Sequence, residues 1–220
     1  MERITNSIAE KISLELGLDN NKKEVIAYGT FALLHTMLSI LLVVVFGAIL
    51  GVMLEALTIS FTISILRKYS GGAHTSSPGI CAAVGTIITV VQALLIYFVI
   101  ISHINLMLII LLGLVSFIWS YYIIIKLAPV DSAAKPIRTL KKRNRMRRGS
   151  ILVLTAYLAI VLLNIILFIY TQEKRFLIFS LCIYGGTTWQ AFTLTRGGHV
   201  TFRVLDSFLK GLLSLIGRRK

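Results

Sequence analysis

The stretch RKYSGGAHTSSPGIC, Arg67 to Cys81, places a histidine and a cysteine seven residues apart. A thiol beside an imidazole is a nucleophile with a base: the ring takes the thiol proton and later returns it to a leaving group. The context of Cys81 suits that role. Ser77 stands at an N-cap position, Pro78 at the first helical position and Cys81 at the end of the first turn. The partial positive charge of a helix N-terminus stabilises a thiolate. The spacing adds a geometric demand. Seven residues of straight helix rise about 10 Å, whereas a side-chain hydrogen bond needs about 3 Å. His74 and Cys81 can meet only if the chain folds back between them. Gly71 and Gly72 permit unusual backbone angles there, and Pro78 disfavours a helical Ser77.

Taken alone, these residues leave three readings open. His74 and Cys81 are a catalytic pair; or one is a loop residue and the other a helix-packing residue; or both belong to a metal site that still needs two ligands. No other histidine supplies those ligands at a suitable spacing: His35 lies inside an apolar run, His103 at the opposite membrane side, and His199 without a neighbouring cysteine or carboxylate. No metal or other cofactor is implied, and no nucleotide-binding loop is present. Cys182, in an apolar segment, reads as a packing residue.

The elements that must position the pair are membrane spans. Of the 220 residues, 56% are hydrophobic and 15% charged, with a mean hydropathy of +0.85. Soluble domains carry roughly 25% charged residues. Six apolar segments are expected to span: Tyr28–Ile49, Val52–Leu66, Cys81–Ile101, Leu106–Ile125, Ile151–Tyr170 and Phe176–Leu194, several of them near the ~20 residues a bilayer requires. The expected class is therefore all-α, a polytopic membrane protein. It divides into an N-terminal segment 1–27, a membrane domain 28–199 with a candidate loop 67–81 and a basic loop 126–150, and a tail 200–220. The N-terminal segment is too polar for a signal peptide.

Charge sets the orientation. Of 23 Lys and Arg, all but Lys174 and Arg175 fall in four segments that six spans place on one side. By the positive-inside rule that side is the cytoplasm, so both termini and the loop with His74 and Cys81 are cytoplasmic. A cytoplasmic thiol stays reduced. The same rule accounts for the net charge of +14 without a nucleic-acid partner. Both ends read as amphipathic interfacial helices: Ile4, Ile8, Ile12 and Leu16 recur at helical spacing, as do Phe202, Leu205, Phe208, Leu209, Leu212 and Ile216.

The pattern Arg67-x-x-x-Gly71-Gly72-x-His74, with Cys81 seven residues on, resembles the signature of the accessory gene regulator B (AgrB) family of bacterial membrane cysteine endopeptidases. APVDSAAKPI, from Ala128, resembles that family's second motif, and a basic cluster follows it. The resemblance covers nearly the whole chain. It implies a cell-membrane enzyme that cuts the acidic tail from a small AgrD-like quorum-sensing propeptide. Cys81 is then the nucleophile that forms a thioester, His74 its base, and closure of a thiolactone ring the outcome. It also implies a homodimer, and activity at the positions of Arg67 and Gly72. Arg67 is a candidate carboxylate binder or a marker of the span end. Gly71, Gly72 and Pro78 shape the loop. Lys141, Lys142 and Arg143 attract the acidic tail or anionic lipid. Asp131, Lys135 and Pro136 have no assigned role, and Glu55, about 18 Å from Arg67 along a helix, is too far to orient His74. The competing reading is a non-enzymatic peptide transporter or scaffold, which would need another energy source.

Overall fold

The computed structural model describes residues 2–73, 75, 77–100, 105–131 and 139–217. His74, His103, Lys135 and Pro136 lie outside them. The described residues are helical: α1 (Glu2–Glu15), α2 (Asn20–Ile49), α3 (Met53–Ser70), α4 (Pro78–Leu94), α5 (Leu106–Leu127), α6 (Leu140–Thr171), α7 (Lys174–Thr193) and α8 (Arg196–Gly217). A π-helical stretch, Leu95–Ile100, continues α4. Contacts divide the chain into two units, Met1–Leu42 and Val43–Lys220.

In the first unit Lys23 pairs with Glu10 at 3.5 Å, joining α1 to the start of α2. Ile4, Ile8 and Leu16 of the expected apolar stripe are exposed, and the pair is half in water, so it contributes little.

In the second unit α7 is the central helix. It packs on α3, α5 and α6, and more lightly on α4 and α8. Its buried face includes Ser180, Thr187, Gln190 and Thr193. Membrane helices associate through small residues and polar bonds because lipid is as apolar as leucine. Gly186 faces Thr62 and the Ile59 carbonyl of α3. Ser116 of α5 and Thr188 of α7 pair at 2.7 Å, and the Tyr157 hydroxyl of α6 donates to Thr62 O at 3.2 Å.

Among the described residues four helices are long and apolar enough to cross a bilayer: Asn20–Ile49, Pro78–Phe98, Leu106–Leu127 and Leu140–Thr171. α3 and α7, expected as the second and sixth spans, are helices of 18 and 20 residues, long enough but not apolar enough to be counted with these four. The reason is their place. They face protein, so they carry polar residues that a lipid-facing helix excludes.

The basic segment also differs from expectation. It is no loop beyond Thr139. Thr139 caps α6, its hydroxyl accepting from Lys142 N at 3.3 Å. Lys141 to Arg148 then form the first turns of the same helix that carries the fifth apolar segment. Arg147 Nη2 donates to the Ile125 carbonyl of α5.

Candidate functional site

The loop after α3 starts with a helix end that only glycine fits. Gly71 N–H closes α3 on Arg67 O, and Gly71 and Gly72 stand at φ +70° and +136°. The second value is one that side-chain-bearing residues rarely adopt. The APVD segment supports this turn. Val130 N donates to Ser70 O at 2.9 Å, and Val130 forms a parallel bridge with Gly71. A Cβ on Gly71 would collide with the Val130 carbonyl oxygen. The two motifs are thus in backbone contact, with Pro129 and Ala128 buried behind them and Asp131 exposed.

α7 supports the loop from the other side. Gln190, fully buried, donates through Nε2 to Ser70 Oγ at 2.9 Å and to Gly71 O at 2.7 Å. Thr193 O accepts from Ala73 N at 3.1 Å. A Cβ on Gly72 would lie 2.5 Å from Thr193 Oγ1.

Ala73 is held at every group. Its N–H goes to Thr193, its carbonyl accepts from Arg67 Nη2, and its side chain, 2% exposed, sits in an apolar cluster with Ile80, Val84 and Phe202. Trp189, Leu205 and Leu209 pack on that cluster, so α8 covers the loop. Arg67 also lies over the Phe202 ring, 5.8 Å from its centroid. Arg67 also lies within electrostatic reach of Cys81.

Cys81 is half-buried and free, and its N–H donates to Ser77 O at 3.0 Å. Pro78 is the first residue of α4, and Ser77 is extended at the N-cap position. The Ser77 side chain caps nothing, and its carbonyl accepts from Thr75 Oγ1 at 3.0 Å. Lys141, Lys142 and Arg143 lie in the first turn of α6, away from these contacts and mostly exposed. Glu55 and Arg67 occupy opposite ends of α3. Cys182 is a fully buried core residue of α7. Of the segment TRGGHV only Thr195 lies in the turn from α7 to α8; Arg196 to Val200 open α8, where Gly198 packs against the Phe192 carbonyl. Among the described residues no group of three His, Cys, Asp or Glu gathers.

Sequence reasoning missed Gln190 and Thr193, and missed that Val130 and Phe202 reach the loop. The signal for the first two was present: TTWQAFT puts four polar residues, Thr187, Thr188, Gln190 and Thr193, into an apolar segment, and intramembrane polar groups mark functional positions by default.

Three comparisons bear on this arrangement. The family model described as Accessory gene regulator B matches residues 3–194. A Clostridium perfringens (strain 13, type A) protein, named by likeness alone as AgrB-like protein 2, is 44% identical over 213 residues, covering 97% of this chain and all of that protein. An AgrB-like protein of strain SM101 is 42% identical over the same coverage, and AgrB-like protein 1 of strain 13 is 28% identical over 76% of this chain and 84% of its own. No solved structure matches.

Proposed function

Because this chain belongs to the accessory gene regulator B family, we propose that it is a membrane cysteine endopeptidase that removes the tail of an AgrD-like propeptide and promotes ring closure of the remaining signal peptide. One observation carries the reading. Ala73 and Ile80, the residues immediately before His74 and Cys81, share one buried cluster. The chain folds back between the loop and the helix start, as a thiol–imidazole pair requires.

His74 takes the Cys81 proton, and Sγ attacks the scissile carbonyl carbon. A C–S bond forms, the C–N bond breaks, and the tail amine leaves with the proton held by the imidazolium. The acyl-enzyme is a thioester. A thiol of the substrate then attacks the same carbon, its proton passes to His74, and Cys81 departs as thiolate. One thioester replaces another of similar energy, so ring closure needs no ATP. Water must be excluded, or a linear acid results. Phe202 and Trp189 form an apolar roof beside Ala73 that serves this exclusion.

Arg67 fixes the Ala73 carbonyl and supplies positive charge near the thiol. The exposed cations at the start of α6 attract the acidic tail. α3 and α7 complete six spans with α2, α4, α5 and α6, which puts the loop, both termini and the basic turns of α6 in the bacterial cytoplasm, with the amphipathic ends at the interface. The active form is a homodimer.

The test is co-expression with the precursor, following tail release by mass. Cys81→Ala and His74→Ala each abolish release while the protein stays inserted; release by the Cys81 variant would overturn the mechanism. On a Cys182→Ser background, maleimide reaches Cys81 from the cytoplasmic side, and labelling from outside would overturn the orientation.

A further inference from the structure

Gln190 is a primary amide buried in the middle of a helix bundle, with no exposed atom. It lies three residues before the end of α7, 119 residues along the chain from Gly71. Its Nε2 spends both hydrogens on the turn before the loop, at Ser70 Oγ and Gly71 O. Its Oε1 is buried and accepts no hydrogen bond among the described residues. A buried acceptor left empty is costly. In a membrane bundle an aliphatic residue of similar volume would pack there without that cost. The side chain is therefore poorly explained by packing, and well explained by what its donors hold.

What they hold is the backbone that delivers His74. Gly71 O is fixed by Gln190, Gly72 is pressed against Thr193 and Ala73 N–H is bonded to Thr193 O. All three restraints come from one turn of α7, and Thr193 Oγ1 itself donates to Gln190 O at 2.8 Å. The next residue is His74. We propose that Gln190 is the positioning residue of the Cys81–His74 pair: its amide locks the loop in the register that presents His74 to the thiol. This rests on Cys81 being the nucleophile, and it supplies the orienting group that the motif itself lacks.

The experiment compares wild type, Gln190→Leu, Gln190→Glu and Cys81→Ala, each as the full chain in membranes. Tail release gives kcat and KM, and the rate of Cys81 alkylation by iodoacetamide is followed against pH on a Cys182→Ser background. Gln190→Leu keeps insertion and thermal midpoint but loses at least about 100-fold in kcat with KM within about threefold. Its alkylation profile shifts along the pH axis, because a loosely held imidazole no longer partners the thiol. Gln190→Glu keeps an acceptor but has no amide donors, and does not restore kcat. Wild-type kcat and an unshifted profile in Gln190→Leu would overturn the proposal. So would a loss of kcat that only parallels a loss of thermal stability, with the profile unshifted. If Gln190→Leu does not accumulate, Thr193→Val tests the same turn and is expected to show the same split to a smaller degree. Cys81→Ala separates the two claims: release by that variant defeats the nucleophile assignment, whereas a dead Cys81→Ala beside a normal Gln190→Leu defeats only the positioning role.

Discussion

Replacing Gly71 by alanine tests the contact between the two motifs. The substitution meets two costs. At φ +70° a Cβ-bearing residue loses about 1–2 kcal/mol. The new methyl also runs into the Val130 carbonyl oxygen, a backbone atom that cannot rotate away. Relief requires moving Val130 off the loop, which breaks its bond to Ser70 O and costs about 1–3 kcal/mol for a buried group left unpaired. The sum is about 2–5 kcal/mol. The rest of the bundle is held by α7 packing that does not involve this turn, so the cost falls on the loop. At 1.4 kcal/mol per tenfold, the population of correctly placed loop falls by about 30-fold to several thousand-fold. Tail release in membranes should fall by that factor with insertion intact. The control is Gly85→Ala, one turn beyond Cys81 in α4. A Cβ there meets nothing within 4 Å, and alanine favours a helix by about 1 kcal/mol, so activity should hold. Wild-type release by Gly71→Ala, or equal damage from Gly85→Ala, would refute the reasoning.

Arg67→Lys keeps the charge but loses the planar group that spans Ala73 O and the Phe202 ring. About a tenfold drop in kcat is expected, and more for Arg67→Met. Phe202→Ala opens a cavity in the cluster under α8, worth about 3–5 kcal/mol; limited proteolysis should cut within α8 while the bundle survives, and the linear hydrolysis product should increase at the expense of the cyclic one. Replacing Lys141, Lys142 and Arg143 together by glutamine should raise KM several-fold at low salt and leave kcat unchanged, with the difference vanishing near 1 M salt, where the screening length is about 3 Å. A double-mutant cycle of Ser116→Ala and Thr188→Ala should give a coupling near 0.6 kcal/mol, typical of bonds between membrane helices.

The turn at Gly71–Gly72 and the helix start at Pro78 were legible in the sequence because their chemistry is local. Glycine and proline impose backbone angles wherever they stand. Gln190 and Val130 were not legible in the same way, since their partners lie 119 and 60 residues away and no periodicity links them. The motif containing Val130 could be recognised by its residues, but its contact with Ser70 needed the fold. The basic run was misread for a different reason. Charge fixes which side of the membrane a segment occupies, not its conformation. Lysine and arginine are good helix formers, and Thr139 supplies the cap. α3 and α7 were visible as helices, yet their polar residues make sense only once they are seen to face protein.

The unbroken run of α6 has a mechanical consequence. Its 32 residues extend about 48 Å, against a hydrocarbon thickness of about 30 Å. Part of it must stand proud of the bilayer as a stiff rod, or the whole helix must tilt. Its first turns are joined to α5 through Arg147 and Ile125, and Gly149 abuts the Tyr69 ring just before the loop. A force on the cationic end is therefore not absorbed by slack chain. It acts as a lever, with its short arm resting two residues from Gly71.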